Sequence, residues 1–519
     1  LTLRLLSLTL LVSFGSSMLY GYSLAVVNAP AAPIKAFYNA TWSWRHGQGL
    51  PPGPLTLLYA LTVAVFALGG LLGSLLVGLL VSRYGRNGAL GRSALLVLLA
   101  AAAMGLSRHL GSPEMVIFGR FIMGVHSGGC PGICLSVVPL YLGEVAPKSL
   151  RGLLGLVPSI FICLGVFSAQ ILGLPELLGQ DRYWPLLLSV VVVPASLQLL
   201  LLRCFPESPR YLLIERNNVP GATEALRWFL GTVDVRDEVE EMREEQRSLS
   251  SVDAVSVWRL LQDRSVRWQT LSVVVVNAGM QLSGIDAVWF YTNTIFEAAG
   301  IPAPQIPYVT VGTGAVEIVA GLMGVSGEPG RERGAAGRPP RHQRCCSPGQ
   351  CVAIERLGRR PLLLAGFCSM GICSAGLTVS RLLQVGAGGR CARWGVQHVA
   401  TLAVPRPPQA ALPGMRYVAA GCVVGIIAGF CLGPAGVPFL MTAELFMQSH
   451  RPSAYIVGGS LNWLSNFTVG FVFPFLQASA GPFCYLFFCG VCLLVALYIY
   501  VIVPETKNRT FMEISQTFA

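Results

Sequence analysis

Charge is what this 519-residue chain has least of: Asp, Glu, Lys and Arg together make up 12% of it, against 53% hydrophobic residues. So little charge excludes a soluble domain with a fully solvated surface. Histidine is scarce as well, six in all. No Ser, Cys and His fall at catalytic spacing, so an enzyme is the least expected class, and His126 and His450 read as incidental. No glycine-rich phosphate loop interrupts the apolar runs, which argues against a nucleotide-driven pump. Acidic residues are few, 25 against 37 Lys and Arg, for a net charge of +12. In a soluble protein that excess would suggest nucleic acid. Here the basic residues sit in loops beside apolar runs, so no nucleic-acid partner is expected. Most of the fifteen cysteines, among them Cys130, Cys163, Cys368 and Cys492, lie inside apolar runs and imply no disulfide framework. The adjacent pair Cys345 and Cys346 lacks zinc-site spacing, so neither a metal nor a cofactor is expected.

What the chain has instead is long apolar runs. Crossing about 30 Å of hydrocarbon takes roughly 20 apolar residues. Runs of that order lie near 3–27, 54–82, 89–107, 115–140, 153–174 and 184–203, and again near 268–291, 306–324, 361–383, 417–441, 453–476 and 482–503. Six and six imply an all-α membrane protein with twelve transmembrane helices in the lipid bilayer. The first run reaches about Val27 without a small-residue cleavage site, so it is expected to be a span rather than a removed leader. Between the two sets lies "DVRDEVEEMREEQR", too charged for lipid, which reads as part of a set of short amphipathic helices on a membrane face. The expected organisation is a six-helix bundle over 1–205, linker helices over 206–266 and a second six-helix bundle over 267–519.

Short loops place Arg83, Arg86 and Arg92, then Lys148 and Arg151, then Arg359, Arg360 and Arg451 on one side, which the positive-inside rule makes cytoplasmic. Both termini and the linker share that side. The loop 28–53 is then outside, where Asn39 of "NAT" is a candidate glycosylation acceptor. The matches "NFT" at Asn466 and "NRT" at Asn508 read as chance. The halves also repeat. "RYGRN" (83–87) returns as "RLGRR" (356–360), "GEVAPKSLR" (143–151) as "AELFMQSHR" (443–451), and "PESPR" (206–210) as "PETKN" (504–508). Three motifs repeated in one order imply an internal duplication with a pseudo-symmetric pair of bundles.

The duplication exposes two intrusions. Arg86 and Arg359 are 273 positions apart but Glu144 and Glu444 are 300 apart, so about 27 extra residues lie between the ninth and tenth runs. The Arg- and Pro-rich stretch 385–409 accounts for them. A second stretch, 325–350, cuts the eighth run, and without it the line reads "TVGTGAVEIVAGLMGCVAIERLGRR". Each stretch begins with Val and ends with Gln, whose codons can begin GT and be CAG. Both are read as translated introns.

"RYGRN", "PLYLGEVAPKSLRG", "FPESPRYLL", "QLSGIDAVWFY", "ERLGRRPLL", "TAELF", "RPSA", "NWLSNF" and "VPETKNRTF" follow the order in which the facilitative hexose transporters (GLUT-type, major facilitator superfamily) carry such motifs. The chain resembles that family over nearly its whole length outside the intrusions. "GSSMLYGYSLAVVNAP" and "SAYIVGGSLNWLSNFTVGFVFPFLQ" are most similar to its fructose-transporting branch and the near relative of that branch. The resemblance implies uniport of a hexose across the plasma membrane by alternating access of two rocking bundles, with a single chain sufficient.

A sugar site needs neutral groups that both donate and accept, and an aromatic face for the C–H side of the ring. Gln281, Asn462 and Trp463 fit, and the resemblance puts them on the central cavity with Tyr20. Where relatives have asparagine this chain has Asp286 and Glu317, and glutamine is replaced at Leu19, Ser159 and Met280. Asp286 is expected to serve as a neutral acid, which like an amide both donates and accepts. Gln281 and Asp286 are about 140° apart on an ideal helix, so they share a face only if the helix loosens at Gly284. Ser159, Glu317 and Phe439 are further candidate cavity residues, Phe439 as a narrowing one. Phe290 and Tyr291 are candidates for the outer gate, and Gly433, Pro434 and Pro438 of "GPAGVP" for a hinge in a broken helix. Arg86, Arg151 and Arg210 with Glu144 and Glu207, and Arg359, Arg360 and Arg451 with Glu355, Glu444 and Glu505, are candidate ion pairs. The resemblance implies that they latch the cytoplasmic side. Two rival readings stay open: proton-coupled symport through Asp286 and Glu317, and a non-transporting sugar sensor or inert paralogue.

Overall fold

Apolar length decides the architecture. The computed structural model describes residues 2–128, 137–147, 150–232, 234–250, 255–323, 358–386, 414–447, 449–506 and 513–514, and all regular structure among them is helical. Glu355, the intrusion 325–350 and nearly all of 385–409 lie outside the described residues. Among the described residues, seven helical stretches are long and apolar enough to cross a membrane: Leu3–Ala25, Pro52–Leu106, Trp184–Cys204, Arg264–Ala298, Arg359–Gln384, Met415–Thr442 and Arg451–Val501. Two of them are too long for one crossing. At 1.5 Å per residue, the 55 residues of Pro52–Leu106 would reach about 80 Å if straight. Gly85, with φ 78° and ψ −176°, breaks that stretch, and Gly481, with φ 54°, divides the 51-residue Arg451–Val501. Helices Pro113–Ser127, Arg151–Leu172 and Ile306–Met323 occupy the remaining expected runs.

Exposure runs opposite to that of a soluble bundle. Leu72, Leu75, Leu76 and Leu79, at i, i+3, i+4 and i+7, are 39–67% exposed and form an outward leucine stripe. Leu486, Leu493, Leu497 and Val501 do the same on the last helix. Lipid gives apolar side chains no reason to seek each other, so the helices are held by close backbone approach. Gly69 and Gly73 face Gly124 and Gly128, two patterns of the same spacing, and a Cβ at any of the four would overlap a backbone carbonyl. Gly21 and Gly165 bring the first helix and Arg151–Leu172 together in the same way.

The charged middle forms the expected short helices, Val219–Leu230, Arg236–Ser250 and Val257–Gln262. Leu213, Ala222, Leu226, Val235 and Met242 gather into a small core of their own. Phe229 instead inserts among Leu5, Tyr141 and Leu142, and Thr2 Oγ1 donates to its carbonyl at 2.7 Å. The segment 28–53, expected as a loop, holds a helix, Ala31–His46. Its buried residues Ile34, Tyr38 and Thr41 repeat at helical spacing, and Tyr38 hydrogen-bonds Thr62 at 2.9 Å.

Candidate functional site: an amide cluster at a helix break

Helix Arg267–Leu282 stops at Ser283, and Gly284, at φ 96°, starts the next helix, Ile285–Ala298. That left-handed residue is one a side chain disfavours, and the Phe488 ring fills the space where a Cβ would stand. The break brings Gln281 and Asp286 together as expected. One terminal atom of the Gln281 amide lies 3.0 Å from Asp286 Oδ1 and 2.7 Å from Oδ2. The other lies 2.8 Å from Asn462 Oδ1 and 3.2 Å from Asn462 Nδ2. Asn466 Nδ2 donates to Asp286 Oδ1 at 2.7 Å. Asp286, Gln281 and Asn466 are buried, whereas Asn462 is half-buried. Asn466 is a member that sequence reasoning missed. The signal was there: it follows Asn462 by four residues, one turn along the same face.

An aromatic wall stands beside the amides. Trp463 packs its ring against Gly70, and Tyr20 meets Trp463 edge-on at 6.3 Å and Phe66 at 6.4 Å. Tyr20 and Trp463, far apart in sequence, are thus one contact. The other cavity candidates have different neighbours. Glu317 is buried near the Trp289 indole, Cys163 and Cys431. Ser159 is half-buried on Arg151–Leu172. Phe439 is half-buried, and its carbonyl accepts from the Tyr455 hydroxyl at 3.1 Å. Helix Met415–Leu432 is broken as expected: Gly433 (φ −143°, ψ −59°) and Gly436 (φ −139°, ψ −24°) leave helical geometry before Val437–Leu445. Pro434 lies against Gly366, and Pro438 sits in the first turn of the new helix, where a missing N–H costs nothing. Two surface cavities of about 540 and 470 Å³, beside Trp44 and Arg108 and beside Leu99 and Phe118, do not reach the cluster.

Beyond the amides, contacts cross from the first helices to the later ones. Asn28 Nδ2 donates to Asn293 Oδ1 at 3.1 Å, Asn293 N donates to Asn28 Oδ1 at 3.0 Å, and Thr310 joins at 2.7 Å. Tyr291, at a non-helical φ of −131°, donates its hydroxyl to the Gly470 carbonyl at 2.6 Å and meets the Tyr59 ring at 6.5 Å. Phe290 is fully buried against Gly470. The two gate candidates therefore stand in a closed contact layer. Asn39 is exposed on its helix, with Oδ1 accepting from Leu50 N at 2.8 Å.

At the opposite end the repeated motifs form two matching networks, and the pairing differs from expectation in part. Arg86 pairs with Glu144 at 2.8 Å, and Arg359 with Glu444 at 2.6 Å. Among the described residues Glu207 takes no guanidinium: it accepts the backbone N–H groups of Arg86, Asn87 and Gly88 at 2.9–3.3 Å. Glu505 accepts those of Arg359 and Arg360 at 3.0 and 3.1 Å. Both carboxylates sit where a helix begins with unpaired donors and a positive dipole end, which competes with an ion pair. Arg86 finds its second carboxylate in Glu215 at 2.6 Å, a partner the motif reading missed. Ser208 and Thr506 donate to Glu144 and Glu444 at equivalent places. Arg210 acts on Glu144 through its charge. Arg360 donates to the Tyr500 carbonyl, and Arg451 Nε to the Phe446 carbonyl at 2.9 Å rather than to a carboxylate. Arg151 opens its helix, and its side chain lies outside the description.

The chain matches the family model described as "Sugar (and other) transporter" over residues 8–331 and 346–518. It is 46% identical over 515 residues to "Solute carrier family 2, facilitated glucose transporter member 9" of Homo sapiens, covering 99% of this chain and 85% of that protein. It is 43% identical over 518 residues to member 5 of the same human family, covering 100% and 92%. Among solved structures it resembles the inward open conformation of the xylose transporter XylE from E. coli, with a TM-score of 0.72 at 21% identity over 99% and 100% of the two chains. The major facilitator proton:xylose symporter XylE bound to 6-bromo-6-deoxy-D-glucose matches at a TM-score of 0.70, 21% identity and 99% of both chains. Those structural likenesses show the all-helical major facilitator fold, and the relatives are transporters, not enzymes. Fold, motif order and full-length identity agree: the chain belongs to the sugar (and other) transporter family and is a multi-pass membrane protein.

Proposed function

We propose that the protein is a uniporter that carries a hexose, fructose or glucose, down its gradient across the plasma membrane. The reading rests on one observation above others: Gln281 and Asn462 place two amides beside an aromatic wall to which both halves contribute, Tyr20 from one and Trp463 from the other. Amides that donate and accept suit hydroxyls, and a wall shared between halves changes when the halves rock. In this reading 1–205 and 267–519 are the moving bundles and 206–266 the linker. Tyr291 and Phe290 gate the outer side, and the break at Gly433, Pro434 and Pro438 is a hinge. The Arg86 and Arg359 networks hold the cytoplasmic ends of their own bundles, Asn39 carries a glycan outside, and both termini are cytoplasmic. The segments 325–350 and 385–409 are translated introns; the family match leaves out 332–345, inside the first. Abundant mature transcript containing both would overturn that part.

Labelled fructose and glucose uptake into proteoliposomes tests the function. Saturable uptake of at least one, lost in Gln281→Ala and Asn462→Ala, supports it; binding without uptake would instead favour a sensor. One further observation favours a second reading. Asp286 and Glu317 are both buried carboxylates inside the bundle, where such groups serve proton coupling in many transporters. Uptake indifferent to an imposed proton gradient rules symport out.

A further inference from the structure

Asn466, Asp286, Gln281 and Asn462 form one hydrogen-bonded line across the Gly284 break. Its polar atoms admit two placements of hydrogen, and one proton separates them. With Asp286 ionised both of its oxygens accept, so Gln281 must turn Nε2 toward them, at 2.7 and 3.0 Å, and Oε1 toward Asn462. That sets Gln281 Oε1 2.8 Å from Asn462 Oδ1, acceptor against acceptor, unless Asn462 also turns over. With Asp286 neutral, its O–H donates to Gln281 Oε1, Gln281 Nε2 donates to Asn462 Oδ1 at 2.8 Å, and Asn466 Nδ2 donates to Asp286 Oδ1 at 2.7 Å. The shortest contact at each of the three junctions, 2.7, 2.8 and 2.7 Å, then joins a donor to an acceptor, and nothing rotates.

The surroundings agree. The helix of Asp286 packs against Met18–Ala25, Arg267–Leu282, Ile306–Met323, Met415–Leu432 and Arg451–Ala480. Apart from their arginines, the titratable groups these elements carry are Tyr20, Tyr22, Tyr308, Glu317, Tyr417, Cys422, Cys431 and Tyr455. Their only cations are Arg267, Arg416 and Arg451, each within the first two residues of its helix. Pro52–Leu106 and Cys484–Val501 also reach this helix, through Tyr59 at Tyr291 and Phe488 at Gly284, and the buried Arg120 donates to the Ser23 carbonyl at 2.6 Å over the Phe66 ring; among the described residues no cation is paired with Asp286.

We propose that Asp286 determines specificity: the proton on its carboxyl fixes the direction of the Gln281 amide, so that Asn462 offers substrate its amino group rather than its carbonyl. The proposal rests on the reading of this cluster as the sugar site. A sugar hydroxyl opposite Asn462 then needs only to accept. Fluorine at that ring position keeps some accepting power, whereas hydrogen keeps none. In the ionised arrangement Asn462 presents its carbonyl and requires a donor, so fluorine and hydrogen are equally poor.

The test is a panel of monodeoxy and monofluoro hexoses as inhibitors of labelled hexose uptake by the full chain, across acid to alkaline pH. At neutral pH one ring position is expected at which the fluoro sugar inhibits about as well as the parent and the deoxy sugar about 3- to 10-fold less. Asp286→Asn, whose amide donates to Gln281 as the acid does, keeps that preference at every pH; the wild type loses it once the acid ionises, and Asp286→Ala lacks it throughout. Infrared difference spectroscopy gives a readout independent of transport: a protonated-carboxyl band at neutral pH, absent in Asp286→Asn and retained in Glu317→Gln. No such band in the wild type, or one untouched by Asp286→Asn, overturns the proposal. So does an Asp286→Asn variant that prefers donors. A chain that shows the band but carries no hexose refutes the transport reading alone and leaves the protonation of Asp286 standing.

Discussion

The turn at Gly85 and the turn at Gly358 are built from the same parts and differ in how dry they are. Each opens on a left-handed glycine, at φ 78° and 98°, with a carboxylate, Glu207 or Glu505, against it. Each carboxylate caps the helix that follows, and each arginine reaches a glutamate that is also held by a hydroxyl, Ser208 or Thr506. In the first turn the Arg86 and Glu144 side chains are 9% and 6% exposed, and Glu215 adds a second carboxylate from the linker. In the second, Arg359 and Glu444 are 10% and 26% exposed. The repeated motif is thus a helix-capping device at both turns, and the Arg86 ion pair is the drier of the two and is shared with Glu215.

Removing one partner separates the two turns most. Arg86→Ala leaves Glu144 buried with less compensation and is expected to cost about 3–5 kcal/mol, whereas the wetter Arg359→Ala is expected to cost about 1–3 kcal/mol. Thermal unfolding in detergent measures both, and equal losses would break the comparison. A glycine change should act alike in both turns: Gly85→Ala and Gly358→Ala each cost about 1–3 kcal/mol for the backbone alone, because a side chain is strained at either φ. Asn87 sharpens the contrast. Its Nδ2 donates to the carbonyls of Leu202 and Phe205 at 3.2 and 2.7 Å, so Asn87→Arg is expected to destabilise by about 1–2 kcal/mol rather than strengthen the turn. Glu215→Gln should cost less than about 1 kcal/mol, since that carboxylate is one-third exposed.

The smallest effect belongs to the far end. There the Arg45 guanidinium beside Glu114 lowers the Glu114 carboxyl from 4.5 to about 2. A depressed carboxylate contributes stability that is present above its unfolded value and lost as pH falls through the folded one. The window is therefore about pH 4.5 down to 2, and with Glu114 64% exposed the change across it should stay near the measurement error. Comparing wild type with Glu114→Gln by unfolding at pH 6 and 3 checks it.

Much of this was legible before any coordinates. Apolar run lengths and three repeated motifs place the helices, and the 140° argument at Gln281 and Asp286 led to a break at Gly284 that is present at φ 96°. The partners of Glu207 and Glu505 were not legible. A Glu near an Arg in sequence reads as an ion pair, and nothing in the motif tells that the carboxylate also accepts from unpaired N–H groups at a helix start. Asn466 reads as a chance glycosylation match from its motif alone, and only its helical register with Asn462 marks it as a member of the cluster. The helix Ala31–His46 was missed because Pro33 and its mixed composition resemble a loop. Asn28, Asn293 and Thr310 escaped notice because single polar residues at span ends carry no motif.

In the proposed function one hexose site alternates between the two sides of the membrane without a second driving ion. Counterflow tests it most directly: proteoliposomes preloaded with unlabelled fructose or glucose are diluted into labelled sugar. The expected result is a transient accumulation of label above its outside concentration, unaffected by collapsing the proton gradient and abolished in Asn462→Ala. No overshoot with any hexose, or an overshoot that appears only with an imposed proton gradient, would contradict it.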